Sequence, residues 1–363
     1  MAANLRKLPL GIQDFEDLRT TGYLYVDKTA FVYRLVTQGK PYFLGRPRRF
    51  GKSLLLSTLK AYFLGKKELF EGLAIAGLEQ EWLEYPVIYL DFSIGIYTDV
   101  NSLFETLNYN LKQYEKQWDI VLGDDNPAIR FSELIRRACE KSGRKVVVLV
   151  DEYDKPLLGT MDDLNANDDI RKALKGFYGV LKANDACLRF VFLTGVTKFS
   201  KVSVFSDLNH LSDISLDENF AEICGITEKE LIENFEPEIQ ALAERRKITC
   251  EATLAELKKR YDGYHFAPES VGIYNPFSVL HTLSKCNFGY YWFETGTPTF
   301  LVKMIRKMDL DVRKFTGDID IPIHSLMDYR VEWTDPVPIL YQSGYLTIKG
   351  YKQFIDAYVL GYP

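Results

Sequence analysis

Val146-Val-Val-Leu-Val150 is a run of five β-favouring apolar residues that stops abruptly at two acids, Asp151 and Glu152. A strand that is apolar on both sides is satisfied only inside a sheet covered on both faces, which is the usual setting of a parallel sheet. The first 205 residues suit that setting. Pro41–Gly45, Pro86–Phe92 and Leu188–Gly195 read as further buried strands, and segments 53–64, 100–118, 129–142 and 168–183 carry apolar residues at helical spacing. Strands alternating with helices predict an α/β fold with a mainly parallel sheet covered by helices on both faces. Ahead of them, Tyr23-Leu-Tyr-Val-Asp27 alternates as a strand would, and 29–37 reads as a short helix. Past a boundary near 205–215 the pattern turns mostly helical, as in 227–247 and 251–261, with turns at Asp262-Gly263 and Asn275-Pro276. Tyr345–Lys349 reads there as a strand and Val359–Pro363 as coil. Two units follow, 1–205 and 206–363, packed together because no long Ser/Gly linker separates them.

Composition narrows the function classes. Of 363 residues, 47% are hydrophobic and 26% charged, enough apolar material for a sizeable core. The net charge of −5 supplies no global attraction for nucleic acid, so any polyanion site is local. Arg144-Lys145 and Arg245-Arg246-Lys247 are short clusters that read as solvated charge. Cys139, Cys187, Cys224, Cys250 and Cys286 form no C-x-x-C pair, and His210, His265, His281 and His324 form no H-x-x-x-H pair, which argues against a His/Cys metal site. Dispersed cysteines, the lack of an apolar run of membrane length and the polar N-terminus predict a cytoplasmic protein with no membrane partner.

Arg46-Pro-Arg-Arg-Phe-Gly-Lys-Ser53 follows a strand and opens a leucine-rich helix. That placement is what a phosphate-binding loop requires. Backbone N–H groups curl around a β-phosphate, a lysine reaches the β/γ oxygens, and a hydroxyl at the helix start joins Mg²⁺. Arg48, Arg49, Phe50, Gly51, Lys52, Ser53 and Leu54 are the candidate phosphate-binding residues. The pattern G-x-x-x-x-G-K-[ST] wants glycine at 46, where Arg46 stands, with Gly45 one place early; a plain basic turn before a helix is the competing reading. Asp151-Glu152 has the form of a Walker B. Asp151 with Ser53 would hold the metal, and Glu152 would act on the attacking water. Thr194, ending the next strand, is the third catalytic candidate beside Lys52 and Glu152, as a sensor near the γ-phosphate or as a simple turn cap. Lys198 and Lys201 are weighed as rim charge or ordinary surface lysines, and Tyr25 as an adenine wall or a core residue.

These residues together resemble the AAA-ATPase-like proteins of bacteria. The likeness is carried by Leu8-Pro-Leu-Gly-Ile12, Tyr25-Val-Asp-Lys-Thr29, Arg46–Ser53, Leu149-Val-Asp-Glu-Tyr-Asp154 and Leu193-Thr-Gly-Val-Thr-Lys-Phe-Ser200. It extends through Tyr261-Asp-Gly-Tyr-His-Phe266, Tyr274-Asn-Pro-Phe-Ser278, Tyr291-Trp-Phe-Glu-Thr-Gly-Thr-Pro298 and Gln342-Ser-Gly-Tyr-Leu-Thr-Ile348, so it spans essentially the whole chain. An arginine at the first Walker A position is typical of that family. The resemblance implies a P-loop NTPase with an extra strand between the P-loop strand and the Walker B strand, and a catalytic glutamate that Glu152 matches. It implies a Mg²⁺-dependent module that binds and hydrolyses ATP and couples nucleotide state to a C-terminal effector. The alternative is a nucleotide-gated or catalytically silent interaction module. Family members commonly continue into a PD-(D/E)-x-K nuclease domain, expected here to be absent, since Glu256-Leu-Lys258 reads as a solvated helix face. Homo-oligomerisation, and nucleic acid through that missing domain, stay open as partners.

Overall fold

The computed structural model describes residues 6–39, 41–198, 211–296, 301–302, 305, 317–326 and 335–363. Five strands form one all-parallel sheet: β1 (Pro41–Gly45), β2 (Val87–Asp91), β3 (Val146–Asp151), β4 (Leu188–Gly195) and β5 (Ser212–Asp213), in the order β2-β3-β4-β1-β5. The strand between the P-loop strand and the acid-tipped strand is thus present as β4. Every residue of β3 is buried. Val146, Val148 and Val150 pack with Phe131, Leu134, Leu174 and Phe177, while Val147 and Leu149 join Leu56, Leu59 and Phe63. The period-2 alternation of a strand therefore feeds two separate apolar layers, which is why the run has no polar face.

Helices α1 (Phe15–Thr20), α2 (Thr29–Gln38) and α3 (Lys52–Phe63) contribute to one layer. The other holds α4 (Val100–Trp118), α5 (Pro127–Ser142), α6 (Lys155–Gly159) and α7 (Leu164–Ala183). Their starts are chemically marked. Asp99 and Ser102 form a capping box on α4, Asn126 caps α5 ahead of Pro127, and Asp163 caps α7. The alternating stretch Tyr23–Asp27 joins no ladder; Leu24 N–H donates to Lys7 O at 2.9 Å, and the Tyr25 ring lies 5.2 Å from that of Phe15. Alternation suits any extended segment with one face packed, and only a partner strand makes it a ladder.

The C-terminal half contains α8 (Glu228–Arg246), α9 (Cys250–Tyr261), α10 (Pro276–Lys285) and α11 (Tyr291–Gly296), with a two-residue antiparallel pairing of β6 (Ile226–Thr227) and β7 (Ile273–Tyr274). It also carries a three-stranded antiparallel sheet of β8 (Ile319–Pro322), β9 (Thr347–Lys352) and β10 (Ala357–Gly361), ordered β8-β10-β9. The segment expected as coil at the C-terminus is therefore largely the central strand of this sheet. A register shift between Val359 and Leu360 breaks its alternation, leaving too short a periodic run to recognise. Tyr358 and Leu360 join the same apolar cluster as α4, α5 and α7.

Candidate functional site

The parallel register puts the chemistry at one edge. Gly45 pairs with Gly195, Leu44 with Thr194, and Asp91 with Asp151, so the carboxyl ends of β1, β2, β3 and β4 finish together. Ligands of open α/β sheets bind at this edge. A cleft of about 390 Å³ opens there, lined by Arg48, Arg49, Gly51, Lys52, Ser53, Leu54, Glu152 and Lys155. The Arg46–Ser53 loop and the acid-tipped strand, remote in sequence, thus meet on one cavity.

The loop is tightly turned. Arg49 and Gly51 lie at φ +68° and +93°, and Gly51 caps α3 in that left-handed conformation. Lys52 is buried, and its ammonium donates to the carbonyls of Arg46 (2.8 Å) and Pro47 (3.0 Å). Burial pulls its pKa down, while Asp151, Glu152 and Asp154 oppose that shift. Phe50 is 1% exposed and stacks edge-on against Tyr264 and Phe266, so only its backbone is available to a ligand. Arg48 is half-buried on the cleft wall; Arg49 is exposed, its guanidinium 5.2 Å from the Phe277 ring centroid.

Arg46 does not face the cleft. It is 1% exposed, donating to the carbonyls of Gly45 (2.9 Å), Ser215 (2.8 Å) and Phe220 (3.1 Å), with its guanidinium 4.0 Å from the Phe266 centroid. A glycine could make none of these contacts.

Asp151 is nearly inaccessible. One carboxylate oxygen accepts the Thr194 hydroxyl at 2.7 Å and the Glu152 N–H at 3.0 Å; the other accepts the Tyr89 hydroxyl at 3.2 Å. The Thr194 hydroxyl is thereby directed at Asp151. Glu152 is half-buried at φ +51°, and its pKa is raised by burial first and by Asp154 next, against the pull of Lys52. Buried Asp154 accepts from Val196 N (3.0 Å), Thr197 N (2.6 Å) and Thr197 Oγ1 (2.7 Å), fastening the loop after β3 to the loop after β4. The oxygens of Ser53 and Asp151 suit a hard cation. Among the described residues no three His, Cys, Asp or Glu gather into a metal cage, so an ion here would take its other ligands from phosphate and water.

Lys198 is buried and ion-paired with Asp213, neither rim charge nor a surface lysine; Lys201 lies outside the described residues. Tyr25 lines a second, mainly apolar cavity of about 100 Å³ that shares Pro9, Gly51, Leu54, Pro276 and Leu280 with the cleft. Glu256 pairs with Arg260, and Lys258 with Glu228. His281 is on the cleft wall, His265 Nδ1 sits 2.8 Å from Ser270 O, His210 is outside the described residues, and the five cysteines are free thiols. Pro9–Gln13, Lys155 and the Pro276–His281 stretch of α10 were assigned no role from the sequence, yet they wall the cleft. The Leu8–Ile12 and Tyr274–Ser278 motifs were the only signal.

A family model described as Predicted AAA-ATPase matches residues 9–205. A protein of Azotobacter chroococcum mcd 1, described as an uncharacterized protein in the vnfD 5′ region, is 40% identical over 365 residues, covering 99% of this chain and 67% of that protein. No described helix is long and apolar enough to cross a membrane.

Proposed function

The chain belongs to the predicted AAA-ATPase family, and from that premise we propose that it binds ATP with Mg²⁺, hydrolyses it, and passes nucleotide state to its C-terminal half and an effector beyond. The observation that carries this is the convergence of Lys52, Ser53 and Glu152 on one cleft, with Asp151 buried at the end of β3 immediately before Glu152. Lys52 and the backbone of 48–53 hold the phosphates. Ser53 and Asp151 hold the metal, which when bound neutralises charge on the phosphate oxygens. Glu152 accepts a proton from the attacking water. Thr194 keeps the Asp151 carboxylate oriented, and so senses the metal position through it. We place the ATPase core at 1–205 and the coupling region at 206–363. The 67% coverage of the Azotobacter protein leaves room for an effector of the nuclease kind in longer relatives.

Titration of the protein with ATP and Mg²⁺, followed by phosphate release, tests the reading. Saturable binding with turnover is expected, and no binding at millimolar ATP sinks it.

The pH profile carries a second expectation. A general base works only when ionised, and the Glu152 carboxyl is raised above its ordinary range. In the nucleotide-free protein the Glu152 carboxyl should therefore titrate above the ordinary glutamate value of about 4.3, followed by NMR without Mg²⁺, and a bound cation beside it would pull it back down. A titration at or below that value in the nucleotide-free protein shows that burial does not tune this carboxyl.

A further inference from the structure

The C-terminal motif residues Tyr261–Phe266, Tyr291–Glu294 and Gln342–Ile348 take no part in the chemistry above, yet they converge on the outer side of the phosphate loop. Phe266 lies beneath the Arg46 guanidinium, and Tyr264 packs on Phe50 at 4.8 Å. The indole N–H of Trp292 donates to Arg48 O at 3.0 Å. Gly344, at φ +87°, lies against Pro47, where an added Cβ would come within 2.9 Å of the proline ring. Tyr345 packs tilted against Trp292, the ring centroids 5.3 Å apart.

Three successive carbonyls of the loop are therefore held: those of Arg46 and Pro47 by Lys52, and that of Arg48 by Trp292. In a planar trans peptide the C=O of one residue and the N–H of the next point in opposite directions. Trp292 is not part of the cleft wall and Arg49 is, so holding Arg48 O toward the indole turns the Arg49 N–H the other way. The lysine ties depend on the same ammonium that would engage phosphate, with two of its three N–H donors already on the loop carbonyls. The Trp292 tie is independent of Lys52.

We propose that Trp292 is a positioning residue for nucleotide binding, holding the Arg48 peptide so that the loop amides stay turned toward the phosphates whatever Lys52 engages. This rests on the nucleotide reading above. The rest of the collar, Phe266, Tyr264 and Gly344, fixes where the loop sits, a task for which Arg46, Pro47 and Arg48 lack the compactness of glycine.

Trp292→Phe keeps an aromatic ring in the collar and removes the donor together with part of the indole's volume. One neutral hydrogen bond corresponds to a change of about three- to tenfold. The dissociation constant for ATP should rise by that factor, while phosphate release at saturating ATP stays near the parent rate and the melting temperature stays close to that of the parent. Unaltered ATP affinity overturns the proposal. So does weaker binding accompanied by an equal fall in phosphate release at saturating ATP or by a large drop in melting temperature, which marks general loosening. Failure of the parent protein to bind ATP overturns the nucleotide reading and this proposal with it, whereas parent binding with an unaffected Trp292→Phe variant overturns this proposal alone.

Discussion

Glu152→Gln is expected to bind ATP about as well as the parent protein and to release phosphate some 10²- to 10⁴-fold more slowly, the range associated with loss of a positioned general base. The substitution keeps the size and the hydrogen-bonding tip of the side chain, so the left-handed backbone at this residue and the packing around it carry over. What goes is the ability to take a proton. It also removes a negative charge from a cleft that would receive phosphates, so affinity should hold or improve. ATP titration and phosphate release on the same preparation separate the two effects. Turnover within tenfold of the parent would remove Glu152 from the mechanism.

Lys52→Ala should produce the largest loss of binding. Charge-assisted hydrogen bonds contribute about 1.5–3 kcal/mol each, so losing a single ammonium–phosphate contact weakens binding by roughly ten- to 150-fold. In the nucleotide-free protein the same ammonium holds Arg46 O and Pro47 O, but its burial opposes the charge, as the lowered pKa records. The two contributions to stability partly cancel, so the melting temperature should move by only a few degrees. Lys52→Met restores the stem volume without the charge and should bind as poorly as Lys52→Ala. ATP affinity recovered by methionine would show that packing, not charge, had been lost.

The sheet was readable because β3 advertises itself: an unbroken apolar run between a basic turn and two acids fits little except the centre of a covered sheet. The loop and the acid pair were readable because their chemistry needs residues contiguous in sequence. Asp154 was hidden for a different reason. It lies in the quoted Leu149–Asp154 motif, but its partners are N–H groups and a hydroxyl more than forty residues later, and no local pattern announces them. Arg46 looked like a defect in a glycine pattern until its acceptors at 215 and 220 came into view. The strand β10 was missed because its register shifts partway along, and Tyr23–Asp27 looked like a strand because pattern cannot reveal the lack of a partner. Local chemistry was visible in the sequence, and non-local chemistry was not.

The order of synthesis gives the Trp292–Arg48 bond a consequence for the newborn protein. The indole is 244 positions downstream of the carbonyl it holds. At about 5–20 residues per second, a ribosome finishes the loop roughly 12–50 s before it makes that tryptophan. For that interval a growing chain carries Gly51, Lys52 and Ser53 with their strand and helix, but without the indole that ties down Arg48. An unfinished polypeptide thus differs from the released one at its phosphate loop, and premature termination before Trp292 would leave that loop without this support.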